Sequence, residues 1–331
     1  MDREQEEIQF LGFLGIFKEA FSVTSSHRKI FSQITLTIIL PLSLIYLAQI
    51  EISEILFGQI IRSEYDLDHT DQMETQKYSK TSDVLSSELL AFWLFKIAYF
   101  IFALVFSLLS TSAVVYTIAC IYTAKEVTYK KVMKVVPKVW KRLMVTFLWN
   151  FIIVFASIIV LLLVAALWAV TLGTSVVGIT VGIIVLLVYV SGILYIGFMW
   201  HLAGIISVLE DVYGIQALFK SKDLIKGNTG LCAAIFIINK LCFIGIYLGF
   251  RASVVGGESV LGKISHACLW SLLLSMLIHF ALVIQTIIYL ICKSYHRESI
   301  DKLSLADHLE VYSGDYVPLN FKDVQLEYSK V

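Results

Sequence analysis

Residues 143–209 read LMVTFLWNFIIVFASIIVLLLVAALWAVTLGTSVVGITVGIIVLLVYVSGILYIGFMWHLAGIISVL, a run of 67 positions without one Asp, Glu, Lys or Arg. As one helix this run would be about 100 Å long, roughly three times the hydrocarbon thickness of a bilayer. It therefore turns back on itself. The small and polar stretch Thr171–Gly178 is where the turn is expected, giving two antiparallel membrane spans.

The rest of the chain is read outward from this hairpin. Of its 331 residues, 58% are apolar and 16% are charged, against a usual apolar share of about 45–50%. Runs of about 20 residues with few charges mark six spans, roughly 30–50, 89–122, 143–169, 176–208, 230–250 and 266–292. Residues 1–29 and 293–331 flank this membrane domain. The 26 basic and 26 acidic residues cancel, which excludes a strongly basic nucleic-acid binder. The opening MDREQEE lacks the basic start of a secretory signal, so the first span is expected to be retained.

Lys and Arg fix the expected orientation. The N-terminus, the connections 123–142 and 209–229 and the tail together hold 19 of them, against five in 51–88 and 251–265. Both termini are thus expected in the cytoplasm, in the endoplasmic reticulum or plasma membrane. The segment 51–88, with nine acidic residues, is read as a solvated exterior loop. The five cysteines lie within or beside the apolar runs, which points to reduced core thiols. An acylated Cys292 is the less favoured alternative.

Each pair of spans follows a short amphipathic stretch. Phe10, Phe13, Leu14, Phe17 and Phe21 recur at helical spacing opposite Gln9, Gly12 and Glu19. Lys130, Lys134, Lys138 and Lys141 form a stripe beside Val132, Val135, Val136 and Val139, with a helix break expected at Pro137. Ile215, Leu218 and Phe219 alternate with Lys220, Asp223 and Lys226 before a helix stop at Gly227-Asn228. The expected fold is all-α: a polytopic membrane protein of six transmembrane helices in three hairpins, each preceded by a cytoplasmic interfacial helix, as a diverged internal repeat.

The segment ALFKSKDLIKGN, residues 217–228, resembles the "alkrS..L.kG" segment of a broad group of six-span proteins. That group includes the membrane domain attached to some bacterial glycerophosphoryl diester phosphodiesterases and a plant family of uncharacterised multi-pass proteins. Similarity over the whole chain is greatest to the plant family, including LGFLGIFKEAF at 11–21. The resemblance implies six helices with interfacial helices. It carries no phosphodiesterase chemistry, which belongs to a separate soluble domain, and transfers no functional residues.

Polar groups inside spans are costly unless paired, so each is a candidate site residue. Asn150, His201, Asn239, Lys240 and His279 lie in four spans, at expected depths of about 10–20 Å from the cytoplasmic ends. They are read either as a substrate layer, in which Lys240 holds an anionic group, or as hydrogen-bonding glue between helices. Glu210 or Asp211 is the expected partner of Lys240 if it snorkels, and Lys96 is expected to snorkel outward. Lys130, Lys134, Lys138, Lys141 and Arg142 are candidate contacts to anionic headgroups. Pairs of glycines, Gly178 with Gly182 and Gly245 with Gly249, suit close internal packing or, alternatively, dimerisation.

No nucleotide loop, nucleophile elbow or zinc-helix motif occurs in the sequence, so no enzyme, metal or cofactor is expected. The expected partners are membrane lipids, anionic ones included, and a second copy or another protein meeting the cytoplasmic segments. Nucleic acid is not among them. The first functional reading is a non-enzymatic scaffold, lipid-organising or trafficking component. The second is a small-solute or lipid carrier, which a water-accessible cavity reaching Lys240 and His279 would favour.

Overall fold

A computed structural model of the chain describes residues 12–68, 75–123, 125, 127–171, 175–255 and 260–296. The helices are α1 (Phe13–Ser26), α2 (Arg28–Ile34), α3 (Leu40–Asp68), α4 (Thr75–Tyr122), α5 (Tyr129–Thr171), α6 (Val176–Leu209), α7 (Ile215–Ile225), α8 (Thr229–Phe250) and α9 (Val260–Tyr295), with π-helical segments at Thr35–Ile39 and Arg251–Val255. No strand occurs among the described residues. Six helical segments are long and apolar enough to cross a membrane: 28–65, 83–122, 129–171, 176–209, 229–254 and 261–295. The chain is an integral, multi-pass membrane protein.

The charge-free run divides where expected, between Thr171 and Ser175, whose hydroxyl caps α6 by accepting from the Gly178 N–H at 3.0 Å. Other boundaries differ. Segment 51–88 is not a simple loop, because α3 continues to Asp68 and α4 begins at Thr75. Glu51, Glu54, Glu64, Asp83 and Glu88 of that segment lie within these helices. Nor does Pro137 break its helix: α5 is continuous from Tyr129. The proline leaves only the Met133 carbonyl without its helical donor, while buried Val132, Val135, Val136 and Val139 hold both sides of it against the core. Ahead of Pro41, which cannot donate to the Thr37 carbonyl, the helix widens to π geometry over 35–39.

Burial is concentrated at one end of the bundle. There, Ile16 and Ala20 of α1, Phe31 of α2, Val114 and Ile118 of α4, the four valines of α5, Ile205 and Ile206 of α6, Leu224 of α7, Cys232 of α8 and Ile287 of α9 form one core. A small second cluster of Leu47, Phe250, Val254 and Leu274 lies elsewhere. Between residues 151 and 195, Gly178 is the one buried position among those described. Most of the remaining Leu, Ile, Val and Phe of that stretch are exposed, as suits contact with acyl chains, while Ile153, Leu161 and Val185 are among those half-buried.

Three of the four paired glycines meet a tryptophan, whereas Gly245 has nothing within 4 Å of where a Cβ would stand. Trp168 Nε1 donates to the Gly178 carbonyl at 2.8 Å, and a Cβ on Gly182 would stand 3.2 Å from the Trp168 ring. A Cβ on Gly249 would overlap the ring of Trp270, whose Nε1 donates to Ser253 Oγ at 2.7 Å. Cys292 is fully buried and its Sγ lies 3.9 Å from Cys232 Sγ, so acylation there is sterically blocked. Gln9, Phe10, residues 69–74 of the acidic segment and the tail beyond His296 lie outside the described residues.

Candidate functional site: an intramembrane cavity around Lys240

All six long helices contribute to one cavity of about 270 Å³. Lys240 and Asn239 enter from α8, His201 and Trp200 from α6, Gln285 from α9, Thr146 from α5, Ser107, Ser110 and Thr111 from α4, and Tyr46 from α3. A smaller cavity of about 120 Å³ shares His201, Asn239 and Gln285 and is otherwise lined by Phe17, Phe198, Phe236, Phe280 and aliphatic groups. One polar seam thus divides a mixed chamber from an apolar one.

Neither cavity is lined by a carboxylate. Lys240 is exposed where the larger one opens, and its Nζ stands 5.2 Å from the centre of the Phe236 ring. Phe236 also packs on His201, at 5.6 Å between rings, and His201 on Trp200 at 5.1 Å. The ammonium therefore rests on an aromatic face, a contact of about 1–2 kcal/mol. That is less than an isolated cation costs in hydrocarbon.

Three of the five expected intramembrane residues, His201, Asn239 and Lys240, come together here. His279 does not. It is buried, and its two ring nitrogens each lie 3.3 Å from a threonine hydroxyl, Nε2 from Thr24 of α1 and Nδ1 from Thr35 of the π segment. A neutral imidazole donates through one nitrogen and accepts at the other, so His279 fastens the N-terminal helices to α9. Asn150 is buried with Oδ1 lacking a hydrogen-bond partner and lines neither cavity.

The expected partners of Lys240 are engaged elsewhere. Glu210 caps the C-terminal end of α6, where its Oε1 accepts from Tyr289 at 2.6 Å and Lys293 at 2.8 Å, and its Oε2 from Lys220 at 2.8 Å. Burial alone would raise its pKa, but hydrogen bonds from Lys220, Lys293 and Tyr289 outweigh that and hold the carboxyl below its ordinary value. Asp211 binds Arg142 at 2.7 Å. Lys240 lies eleven residues into α8, about 16 Å along its axis, beyond reach of both acids. Lys96 also finds a partner inside, donating to Ser53 Oγ at 2.8 Å and standing 5.2 Å from the Phe92 ring.

At the packed end, Lys130, Lys134, Lys138 and Lys141 are exposed on α5 with Trp140 among them. Arg142 is tied to Asp211 and stands 6.0 Å from the Tyr213 ring, so four of the five headgroup candidates share an outward face and the fifth is used within the fold.

Gln285, Tyr46 and the α4 hydroxyls are additions from the structure. Gln285 is an amide within an apolar run and carries the same signal as Asn239. Ser110 and Thr111 were hidden because both donate to the Ser107 carbonyl of their own helix at 2.9 Å, the usual fate of membrane hydroxyls.

A family model described as a domain of unknown function, DUF8558, matches residues 1–329. The chain belongs to the DUF8558 family. No curated protein and no solved structure matches this DUF8558 chain. The segment 217–228 has a structural part in it: Ala217, Leu218, Ser221, Leu224 and Ile225 are buried, Lys220 binds Glu210, and Gly227 turns the chain against Tyr295.

Proposed function

We propose that the protein is a non-enzymatic, lipid-handling membrane component that binds an anionic amphiphile, a molecule with an acyl chain ending in a carboxylate or phosphate. The observation that carries this reading is Lys240, a cation within a span that forms no ion pair among the described residues and borders a cavity with polar and apolar compartments. An uncompensated charge there is a standing cost, and an anionic headgroup would offset it. Asn239 and Gln285 supply further donors, and the adjoining phenylalanine-lined chamber suits an alkyl segment. Both lipid organisation and lipid carriage are compatible with such a site, and neither requires bond-making chemistry. The site of His279 favours a scaffold role for that residue alone.

The orientation inferred from basic residues places the termini and the lysine face of α5 in the cytoplasm, beside an anionic leaflet. The three hairpins and their interfacial helices remain part of this proposal, supported by the spacing of apolar residues and the resemblance of residues 217–228. With Lys130, Lys134, Lys138 and Lys141 all changed to Gln, the protein is expected to retain less phosphatidylserine and phosphoinositide on purification, each cation near the surface contributing up to about 1 kcal/mol. An unchanged lipid profile by mass spectrometry would remove the headgroup role.

The cavity is tested on delipidated protein in neutral detergent, titrated with oleate or lysophosphatidic acid, with lysophosphatidylcholine as comparison. Both anions are expected to raise the unfolding temperature, since a ligand at a hundredfold excess over Kd stabilises by about 2.7 kcal/mol. Lys240→Met is expected to fold normally, being relieved of an unpaired charge, and to lose this response. Equal responses in the wild type and Lys240→Met would exclude the site.

A further inference from the structure

A third cavity, of about 490 Å³, lies between the middle of α3, the early part of α4 and the end of α8. Lys96 and Arg251 line it, with Ser53, Gln49 and Glu54. Glu54 Oε1 binds Arg251 at 2.6 Å, so the arginine is balanced. Lys96 is not: its described partners are the Ser53 hydroxyl and the Phe92 ring. This outer cavity therefore bears a net positive charge, as the Lys240 cavity does.

The two cavities lie along the same helix faces. On α8 and the π segment after it, Lys240, Phe243, Tyr247 and Arg251 recur at spacings of three and four residues, the first two lining the inner cavity and the last two the outer. On α3, Tyr46 belongs to the inner cavity while Gln49 and Ser53 belong to the outer. On α4, Ser107 and Ser110 line the inner cavity, and Lys96, three and four turns earlier, lines the outer. Such spacings keep residues on one helical stripe. Lys240 and Arg251 are then about 16 Å apart along the axis. Tyr46 and Phe243, the inner-cavity residues next along their helices to Gln49 and Tyr247 of the outer one, form an aromatic group in which Tyr46 meets Tyr99 and Phe243 edge-on, each with ring centres 6.2 Å apart.

We propose that these two cavities are stations on one path, along which an anionic lipid headgroup passes between Lys96 and Lys240 through the constriction at Tyr46, Tyr99 and Phe243 while its acyl chains stay in the bilayer. The proposal rests on the reading of the Lys240 cavity as an anionic-amphiphile site and adds transbilayer movement to it. The cations would guide the headgroup. Lys240 is open to its surroundings rather than enclosed, which suits a ligand whose tail remains outside. The movement is passive, down the lipid gradient, and no carboxylate lines the inner cavity to couple it to protons.

The test uses the full chain in phosphatidylcholine vesicles containing a trace of tail-labelled fluorescent phosphatidylserine, with dithionite added to bleach the outer leaflet. Wild-type protein is expected to expose the inner-leaflet label, and labelled phosphatidylcholine is expected to move more slowly. Lys96→Met should slow phosphatidylserine movement by about tenfold, on the scale of one charge-assisted contact in a barrier, while preserving the oleate response of the Lys240 cavity. Phe243→Ala should accelerate phosphatidylserine movement more than phosphatidylcholine movement, a selectivity that a bilayer defect from misfolding would not show. If wild-type protein responds to oleate through Lys240 yet moves no label beyond empty vesicles, the path is overturned and the binding site stands. Movement unaltered by both substitutions, or equal for the two lipids, also overturns the path. Absence of any oleate response in the wild type removes the binding site on which it rests.

Discussion

Glu210→Ala is expected to lower the unfolding free energy by about 2–4 kcal/mol, because it removes the one carboxylate shared by Lys220, Lys293 and Tyr289 in a largely buried ion cluster. The glutamate side chain is 11% exposed, Lys293 17% and Lys220 31%, so water recovers part of the loss. The variant deprives two ammonium groups and the Tyr289 hydroxyl of a shared acceptor, and with it the tie between α6, α7 and α9. Glu210→Gln should lose most of the same stability, since an amide oxygen can accept but carries no charge. Denaturant or thermal unfolding in a neutral detergent measures both. The pKa of Glu210 is depressed in the fold, so its contribution is fully present above the ordinary carboxylate range and is lost as pH falls through the lower, folded value. Wild-type stability should decline on acidification below about pH 4–5, and Glu210→Gln should show a flatter profile there. Equal stability of wild type and Glu210→Ala at neutral pH would dismiss the cluster as a tie.

Gly227→Ala is the second large effect expected, about 2–4 kcal/mol. Gly227 has φ of 99°, a backbone region costly to residues with a Cβ. That Cβ would also overlap the Tyr295 ring, and relieving such overlap costs about 1–3 kcal/mol. The neighbouring His296 Nε2 lies 3.1 Å from the Leu224 carbonyl and 3.0 Å from that of Lys226, so the end of α7 is held from both sides. Adding Tyr295→Ala to Gly227→Ala removes the overlap and leaves the backbone strain, and the double variant should recover part of the loss. An unfolding temperature equal to that of the wild type in the single variant would contradict the role of this turn.

The helix stop at Gly227 was legible from sequence because a glycine after a periodic run is a chemical requirement of the turn. That the charge-free run must turn follows from its length, and the small residues of Thr171–Gly178 mark where. Pro137 misled because one lost hydrogen bond is small beside four buried valines, a balance set by tertiary packing. The polar residues of the spans were visible as types, but their grouping depended on which way each helix faces. His201, Asn239 and Lys240 share a cavity, whereas His279 is satisfied by Thr24 and Thr35, more than two hundred residues away in sequence. Likewise, the pairing of Glu210 with Lys220 and Lys293 could not be separated from a pairing with Lys240 until the end of α6 was placed against α7 and α9.

The outward-facing stretch between residues 151 and 195 has a further consequence for how freely the sequence can change. Its side chains answer mainly to the bilayer, which rewards apolarity and is indifferent to shape, so Leu, Ile, Val and Phe can replace one another there at little cost. Positions such as Gly178, Gly182 and Trp168, which must fit each other, do not share that freedom. Over generations the arm can be rewritten letter by letter while keeping its character, and ancestry will survive best in the crowded end of the molecule.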